Sequence, residues 1–288
     1  MNLYDNYIFD LYGTLVDIYA DENIITPWNK GAECLNERFS TNWTGRTLWD
    51  RYKEITKEEE KKLSAINGAD YPEILIENVW LRLIREGVEI SKESESTKTE
   101  EKLSECAGNK EKTSSLTVTS PEILSFCTWF REMTRTRFEL FDGVLETFEY
   151  LRSKGKKIFL LSNAQRAYTE KELKDLGLSD KFDDIFISSD KQIKKPQKEF
   201  LELLIKENGL SVDKCVMIGN DIFSDVGVAV KNGMASIFLN TNGYSDKKLD
   251  EELRNILRCA VINGPGLSDF CVRFVDEKGN PITNYQIQ

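Results

Sequence analysis

Short runs of consecutive apolar residues, each ending on polar side chains, alternate along much of this chain with stretches whose apolar positions recur every three or four residues. Tyr7-Ile8-Phe9, Ile158-Phe159-Leu160-Leu161 and Cys215-Val216-Met217-Ile218-Gly219 are of the first kind. Such runs read as buried strands of a parallel sheet, in which both faces are covered. Leu48, Tyr52 and Ile55 are of the second kind, as are Ile76, Val79, Trp80, Leu83 and Ile84 after Pro72, and both sets predict helices.

The strand-helix alternation is interrupted once, between Asp17 and about Phe138, and resumes at Asp142-Gly143-Val144 with a helix leading to the second strand. The pattern therefore predicts an α/β core domain built from residues 1–17 and 139–288, with a helical domain of residues 18–138 inserted into it. Within the insertion, residues 91–118 are rich in Ser, Thr, Lys and Glu and read as a polar loop or disordered excursion. Aromatic residues cluster in the insertion, Trp49, Trp80, Trp129 and Phe130 among them, and most should be core, since helical spacing accounts for Trp49 and Trp80. Trp28, Trp43 and Arg46 lie in segments that could face a cleft. At the C-terminal end, Cys271 to Val275 followed by Lys278-Gly279-Asn280 suggests an appended hairpin that could cover a sheet edge or meet a second copy.

The strand ends carry the chemistry. The first run stops at Asp10 and turns through Gly13-Thr14, so one carboxylate is delivered to the C-terminal edge where open α/β sheets bind ligands. The second stops at Ser162-Asn163, a hydroxyl and an amide able to bind oxyanions. These two residues could equally cap the following helix, and the two roles use the same helix terminus. The third empties into Asn220-Asp221-Ile222-Phe223-Ser224-Asp225, and Lys194-Lys195-Pro196 precedes a further helix whose first turn Pro196 suits.

Composition removes several alternatives. The 288 residues include no histidine, which excludes Ser-His-Asp hydrolases, Cys-His proteases and His-ligated metal sites. The six cysteines are scattered, without a Cys-x-x-Cys pair, and read as free thiols. A net charge of -10 argues against general nucleic-acid binding. No apolar run is long enough for a membrane span and the chain enters a strand directly, so a cytoplasmic protein is expected.

In order and separation, these segments resemble the four motifs of the haloacid dehalogenase-like hydrolase superfamily. The resemblance covers about residues 1–17 and 140–245. It implies a Rossmann-like core with an inserted α-helical cap that closes over the site. Asp10 would be the nucleophile and Lys195 the charge-neutralising lysine. Tyr12, Thr14, Ser162 and Asn163 would contact the substrate, a small phosphorylated molecule. Mg²⁺ would be held by Asp10, the Tyr12 carbonyl, Asp221 and Asp225.

Two departures shape the functional expectation. Phosphatases of the superfamily usually carry a second aspartate two residues after the nucleophile, as acid and base. Here that position is Tyr12, a poor base at neutral pH with a phenol pKa near ~10. Asp-x-Tyr-Gly-Thr is the pattern of 2-haloacid dehalogenases. In the last motif, Asn220 takes the first acidic position if a longer spacing is used, whereas Asp221 supplies a charge and is preferred. The acidic pair favours a Mg²⁺-dependent phosphatase working through an aspartyl phosphate. A metal-independent C–halogen hydrolase and a catalytically weak ligand- or partner-binding protein are the alternatives.

Overall fold

The apolar runs become neighbours in one sheet. The computed structural model describes residues 4–21, 23–95, 113, 115–256, 258–264 and 267. Among them β1 (Asn6–Phe9), β4 (Lys157–Ser162), β5 (Asp184–Ile187), β6 (Cys215–Gly219), β7 (Ala235–Asn240) and β8 (Cys259–Asn263) form a six-stranded sheet in the order β5-β4-β1-β6-β7-β8. Every neighbouring pair is parallel. β2 (Val16–Ala20) and β3 (Arg135–Leu140) form a separate two-stranded sheet.

Burial on both faces explains why the strands read as continuous apolar runs. Ile8, Phe159, Leu161 and Met217 share one face and pack under Phe200, Leu201 and Leu204, from the helix Lys198–Glu207, and under Val228 and Ala229. Phe9, Ile158, Leu160, Val216 and Ile218 share the other, against Val144, Phe148 and Leu151 of the helix Val144–Ser153. Alternate residues of a strand point to opposite faces. Asp10, in phase with Ile8, is thereby aimed towards the layer that begins at Lys198.

The chain divides into two compact units. One comprises Met1–Ile18, Ala69–Glu73 and Arg137–Gln288, and the other Tyr19–Gly68 and Ile74–Thr136. The second contains α1 (Ile25–Phe39), α2 (Gly45–Asn67), α3 (Ile76–Glu95) and α4 (Pro121–Thr134). Helix α2 opens on a reciprocal Thr44–Thr47 capping box and closes on Gly68 in the left-handed region. Its neighbours meet around Trp28, whose ring centroid lies 4.8 Å from that of Phe130, and Trp80, 4.8 Å from Phe126.

Trp28 is wholly buried in this helical core, and the Trp43 indole N–H donates to the Leu83 carbonyl at 3.2 Å. Both tryptophans therefore serve packing, not a cleft. Arg46 is exposed and pairs with Asp50 one turn on. Residues 91–95 complete α3, where a polar loop was expected, because the helix simply continues. The rest of that expected loop through 112, the expected C-terminal hairpin, Cys106 and Cys271 lie outside the described residues. The four described cysteines, Cys34, Cys127, Cys215 and Cys259, are free thiols. No helix among the described residues is long and apolar enough to cross a membrane.

Candidate active site

Strand order fixes where the site falls. From β1 the chain builds outward to β4 and β5 on one side, and β6, β7 and β8 extend the other, so the direction of winding reverses beside β1. The carboxyl ends of strands at such a reversal leave a crevice between diverging loops. Phe9 is in register with Leu160 and Ile218, which sets Asp10 beside the ends of β4 and β6. Its main-chain N–H donates to the Ile218 carbonyl at 2.9 Å.

Lys195 reaches this point from the loop before the helix Lys198–Glu207. Its ammonium donates to Asp10 Oδ1, to Asp225 Oδ1 and to the Leu161 carbonyl, each at 2.7 Å. Three acceptors match the three N–H bonds of an ammonium. The Lys195 and Asp225 side chains are 1% and 2% exposed, whereas that of Asp10 keeps 10%. Asp10 is thus the member of the trio that retains an open face.

The lysine is held by its own main chain. Asn163 receives the Lys195 N–H on Oδ1 at 2.8 Å and donates from Nδ2 to the Lys195 carbonyl at 2.9 Å. Asn163 therefore spends its amide on positioning the lysine, and Gln165, which makes no capping side-chain hydrogen bond, stands at the start of the helix that follows. Pro196 follows Lys195 through a cis peptide and stays outside the helix, which starts at Lys198. The Ala69–Glu73 segment braces the same loop. Lys194 N–H donates to the Tyr71 carbonyl at 3.0 Å, Glu73 N–H donates to the Gln192 carbonyl at 3.1 Å, and Pro72 bridges Ile193 in antiparallel fashion.

Ser162 closes β4 beside Leu161. It is fully buried, and its hydroxyl has no hydrogen-bond partner. Burying an unsatisfied hydroxyl costs about 1–3 kcal/mol, so such an atom in a site points to a group that the site receives. On the β6 side, Gly219 has no side chain for a steric reason. A Cβ there would stand 2.1 Å from Asp225 Oδ2.

Comparisons with known proteins give the family and the fold. The family model of the haloacid dehalogenase-like hydrolases matches residues 4–233. The chain belongs to this family. Among curated proteins it resembles the glyceraldehyde 3-phosphate phosphatase of Methanothermobacter thermautotrophicus, 27% identical over 123 residues, 43% of this chain and 54% of that one. The match thus spans about half the length of that relative. Two solved structures share the fold over nearly the whole of each chain. The HAD phosphatase from Thermococcus onnurineus does so at a TM-score of 0.54 and 16% identity, covering 96% of this chain and 100% of that one. The 2-haloacid dehalogenase from Pseudomonas syringae pv. Tomato DC3000 does so at 0.55 and 18%, covering 93% and 97%.

Within this HAD-like hydrolase the electrostatics follow from three buried charges that do not balance. Burial works against the Lys195 ammonium, yet Asp10 and Asp225 together outweigh it and hold the pKa above the ordinary lysine range. Two carboxylates then share one cation. Burial, partly offset by Lys195 and reinforced by Asp10, pushes the Asp225 carboxyl up to about 6.

Two residues named from the sequence have their side chains engaged elsewhere. Tyr12 does not stand free beside Asp10. Its phenol hydrogen-bonds the carboxylate of the buried Glu172 and lies 2.9 Å from Thr169 Oγ1, both on the helix Arg166–Asp175. Asp221 does not join Asp10 and Asp225 in an acidic triad. It is exposed, and its Oδ1 caps the Ser224 N–H of the π-helical turn Ile222–Val226.

Among the described residues, no three Asp, Glu, Cys or His side chains converge to hold a metal ion. The side chain that comes towards Asp10 from the β6 loop is Asn220. The Thr14 hydroxyl lies 3.3 Å from both Asp10 Oδ2 and Asn220 Oδ1. Gly13, at φ +79°, leaves room for that amide, since a Cβ there would meet Asn220 Nδ2 at 2.2 Å.

Proposed function

We propose that the protein is a phosphoric monoester hydrolase of the cytoplasm, in which Asp10 attacks the phosphorus of a small phosphorylated metabolite. The Asp10 oxygen forms a bond to phosphorus as the bond to the leaving oxygen breaks, giving an aspartyl phosphate. Water then attacks the same phosphorus, and Asp10 is released as the carboxylate. What supports this reading above all is the Lys195 ammonium, locked against Asp10, together with the unpartnered Ser162 hydroxyl at the end of the neighbouring strand β4. A fixed cation and a donor in a dry site stabilise the charge that gathers on phosphoryl oxygens. Thr14 and Tyr12 stand beside the nucleophile in sequence, Thr14 within reach of its carboxylate.

Mg²⁺ is the cofactor that this chemistry implies, supplying charge neutralisation on the phosphoryl group when bound. A hard cation takes oxygen donors, and the Asp10 carboxylate and the Asn220 amide oxygen, both next to Thr14, suit it. The Tyr12 main-chain carbonyl would complete the protein's share.

The substrate class follows from Tyr12. With its phenol committed to Glu172 and Thr169, position 12 offers no carboxyl group to protonate a leaving alkoxide. Acyl and aryl phosphates, whose leaving groups depart unprotonated, are the fitting substrates. The test is hydrolysis of aryl and alkyl phosphates, with Mg²⁺ and with EDTA, by wild type and Asp10→Asn. Aryl turnover that far exceeds alkyl turnover and vanishes in Asp10→Asn is expected. Equal rates on both classes would contradict the substrate assignment, and activity surviving in Asp10→Asn would contradict the mechanism.

A second reading is C–halogen hydrolysis by the same Asp10. Tyr12 in place of the acid and an amide at Asn220 favour it. Halide release from a 2-haloacid in the presence of EDTA would select it.

A further inference from the structure

The β6 loop offers two neighbouring side chains to the nucleophile's surroundings, and only one of them turns inward. Asp221, the charged one, is exposed and occupied as the cap of the Ser224 N–H. Asn220, the neutral one, lies against the Gly13 turn with its Oδ1 at the Thr14 hydroxyl that also meets Asp10 Oδ2. Further contacts fix this arrangement. Thr241 Oγ1 donates to the Gly13 carbonyl at 2.7 Å, and Asn242 Nδ2 donates to the Asn220 carbonyl at 3.4 Å.

The π-helical turn explains the inversion. Both Asp225 N–H and Val226 N–H reach back to the Asp221 carbonyl, so Asp221 heads the turn and its carboxylate faces the turn's free N–H groups. Asp225 meanwhile folds under, against Gly219, and gives its charge to Lys195. Neither acid of the Asp-x-x-x-Asp pair is left to face Asp10 from the solvent side.

We propose that Asn220, and not Asp221, is the residue of this loop that would ligate a divalent cation at Asp10, so that the seat carries a single carboxylate, itself shared with Lys195, and binds Mg²⁺ weakly. This rests on the metal-dependent reading above. Affinity for a hard cation rises with the number of charged oxygen ligands, and an amide contributes a dipole in place of a charge. Loading of the site then depends on the free Mg²⁺ concentration, a setting made by one neutral side chain.

The test is a calorimetric titration of substrate-free protein with Mg²⁺, using wild type, Asn220→Asp, Asn220→Ala and Asp221→Asn, each checked for a cooperative thermal transition. Asp221→Asn keeps a cap of equal quality and removes only the charge. Asn220→Asp should tighten Mg²⁺ on the order of tenfold or more, because a full charge then faces the cation at close range. Asn220→Ala should weaken it, and Asp221→Asn should change it by about twofold or less, as expected of an exposed, screened charge. Loss of Mg²⁺ binding in Asp221→Asn with wild-type affinity in both Asn220 variants would overturn the assignment, as would failure of every form, Asn220→Asp included, to bind Mg²⁺. Because no substrate is present, this outcome is separate from that of the hydrolysis assay.

Discussion

Asp225 must share one ammonium with Asp10, and this shapes how the site responds to pH. Its carboxyl titrates at about 6, above the ordinary value of 3.8, so the folded state holds this proton more tightly than the unfolded chain does. The stability that the bound proton confers is complete below 3.8 and is lost as the pH rises through about 6. Relative to Asp225→Asn, the wild type should therefore lose up to ~3 kcal/mol of unfolding free energy across that window. Urea denaturation at intervals of pH, in EDTA, measures it. A constant difference between the two proteins would show that Asp225 does not titrate high. Lys195→Met is the complementary change. It leaves both carboxylates without their cation and should cost about 3–5 kcal/mol, as removal of one partner from a buried ion pair does. A loss below 1 kcal/mol in the same denaturation would mean that water reaches the pair.

At the scale of elements, the turns after β1 and β6 are shaped by the absence of a side chain. Gly219→Ala places a methyl group where the Asp225 carboxylate lies, 2.1 Å from Oδ2, so that carboxylate must leave Lys195. Near-complete loss of hydrolysis with a lowered melting temperature is expected, and an unchanged rate would mean that Asp225 is dispensable.

The strands were legible in the sequence because both faces are buried, which leaves uninterrupted apolar runs such as Ile158 to Leu161. Asp10, Ser162 and Lys195 were legible because they stand at or between the ends of those runs. That Asn220 and not Asp221 lies against the Gly13 turn was not, because a π-helical turn holds an extra residue and shifts which side chain faces inward. Asn163 was visible as a polar strand end, but its commitment to Lys195, 32 residues on, is a contact that local pattern does not encode. The same holds for Tyr12 and Glu172, 160 residues apart, and for the return of Ala69–Glu73 to the core.

Across the whole molecule, the two units have separate cores, and a change in one should report that unit alone. Trp28→Ala removes the centre of the aromatic cluster in the helical unit and should destabilise by about 3–5 kcal/mol. Amide exchange should then rise in α1 to α4 while the six-stranded sheet keeps its protection. Uniform loss of protection across both units would instead show a single cooperative fold. Asp10, Lys195, Ser162 and Asp225 all reside in the first unit.

In the proposed reaction Asp10 becomes covalently phosphorylated. Acid-quenched single turnover of an aryl phosphate in the presence of Mg²⁺, followed by reduction with borohydride and peptide mass spectrometry, tests it most directly. Homoserine is expected at position 10 of the wild type, formed from the reduced acyl phosphate, and none in the Asp10→Asn protein. Full turnover of the ester with an unmodified Asp10 at every quench time would contradict it.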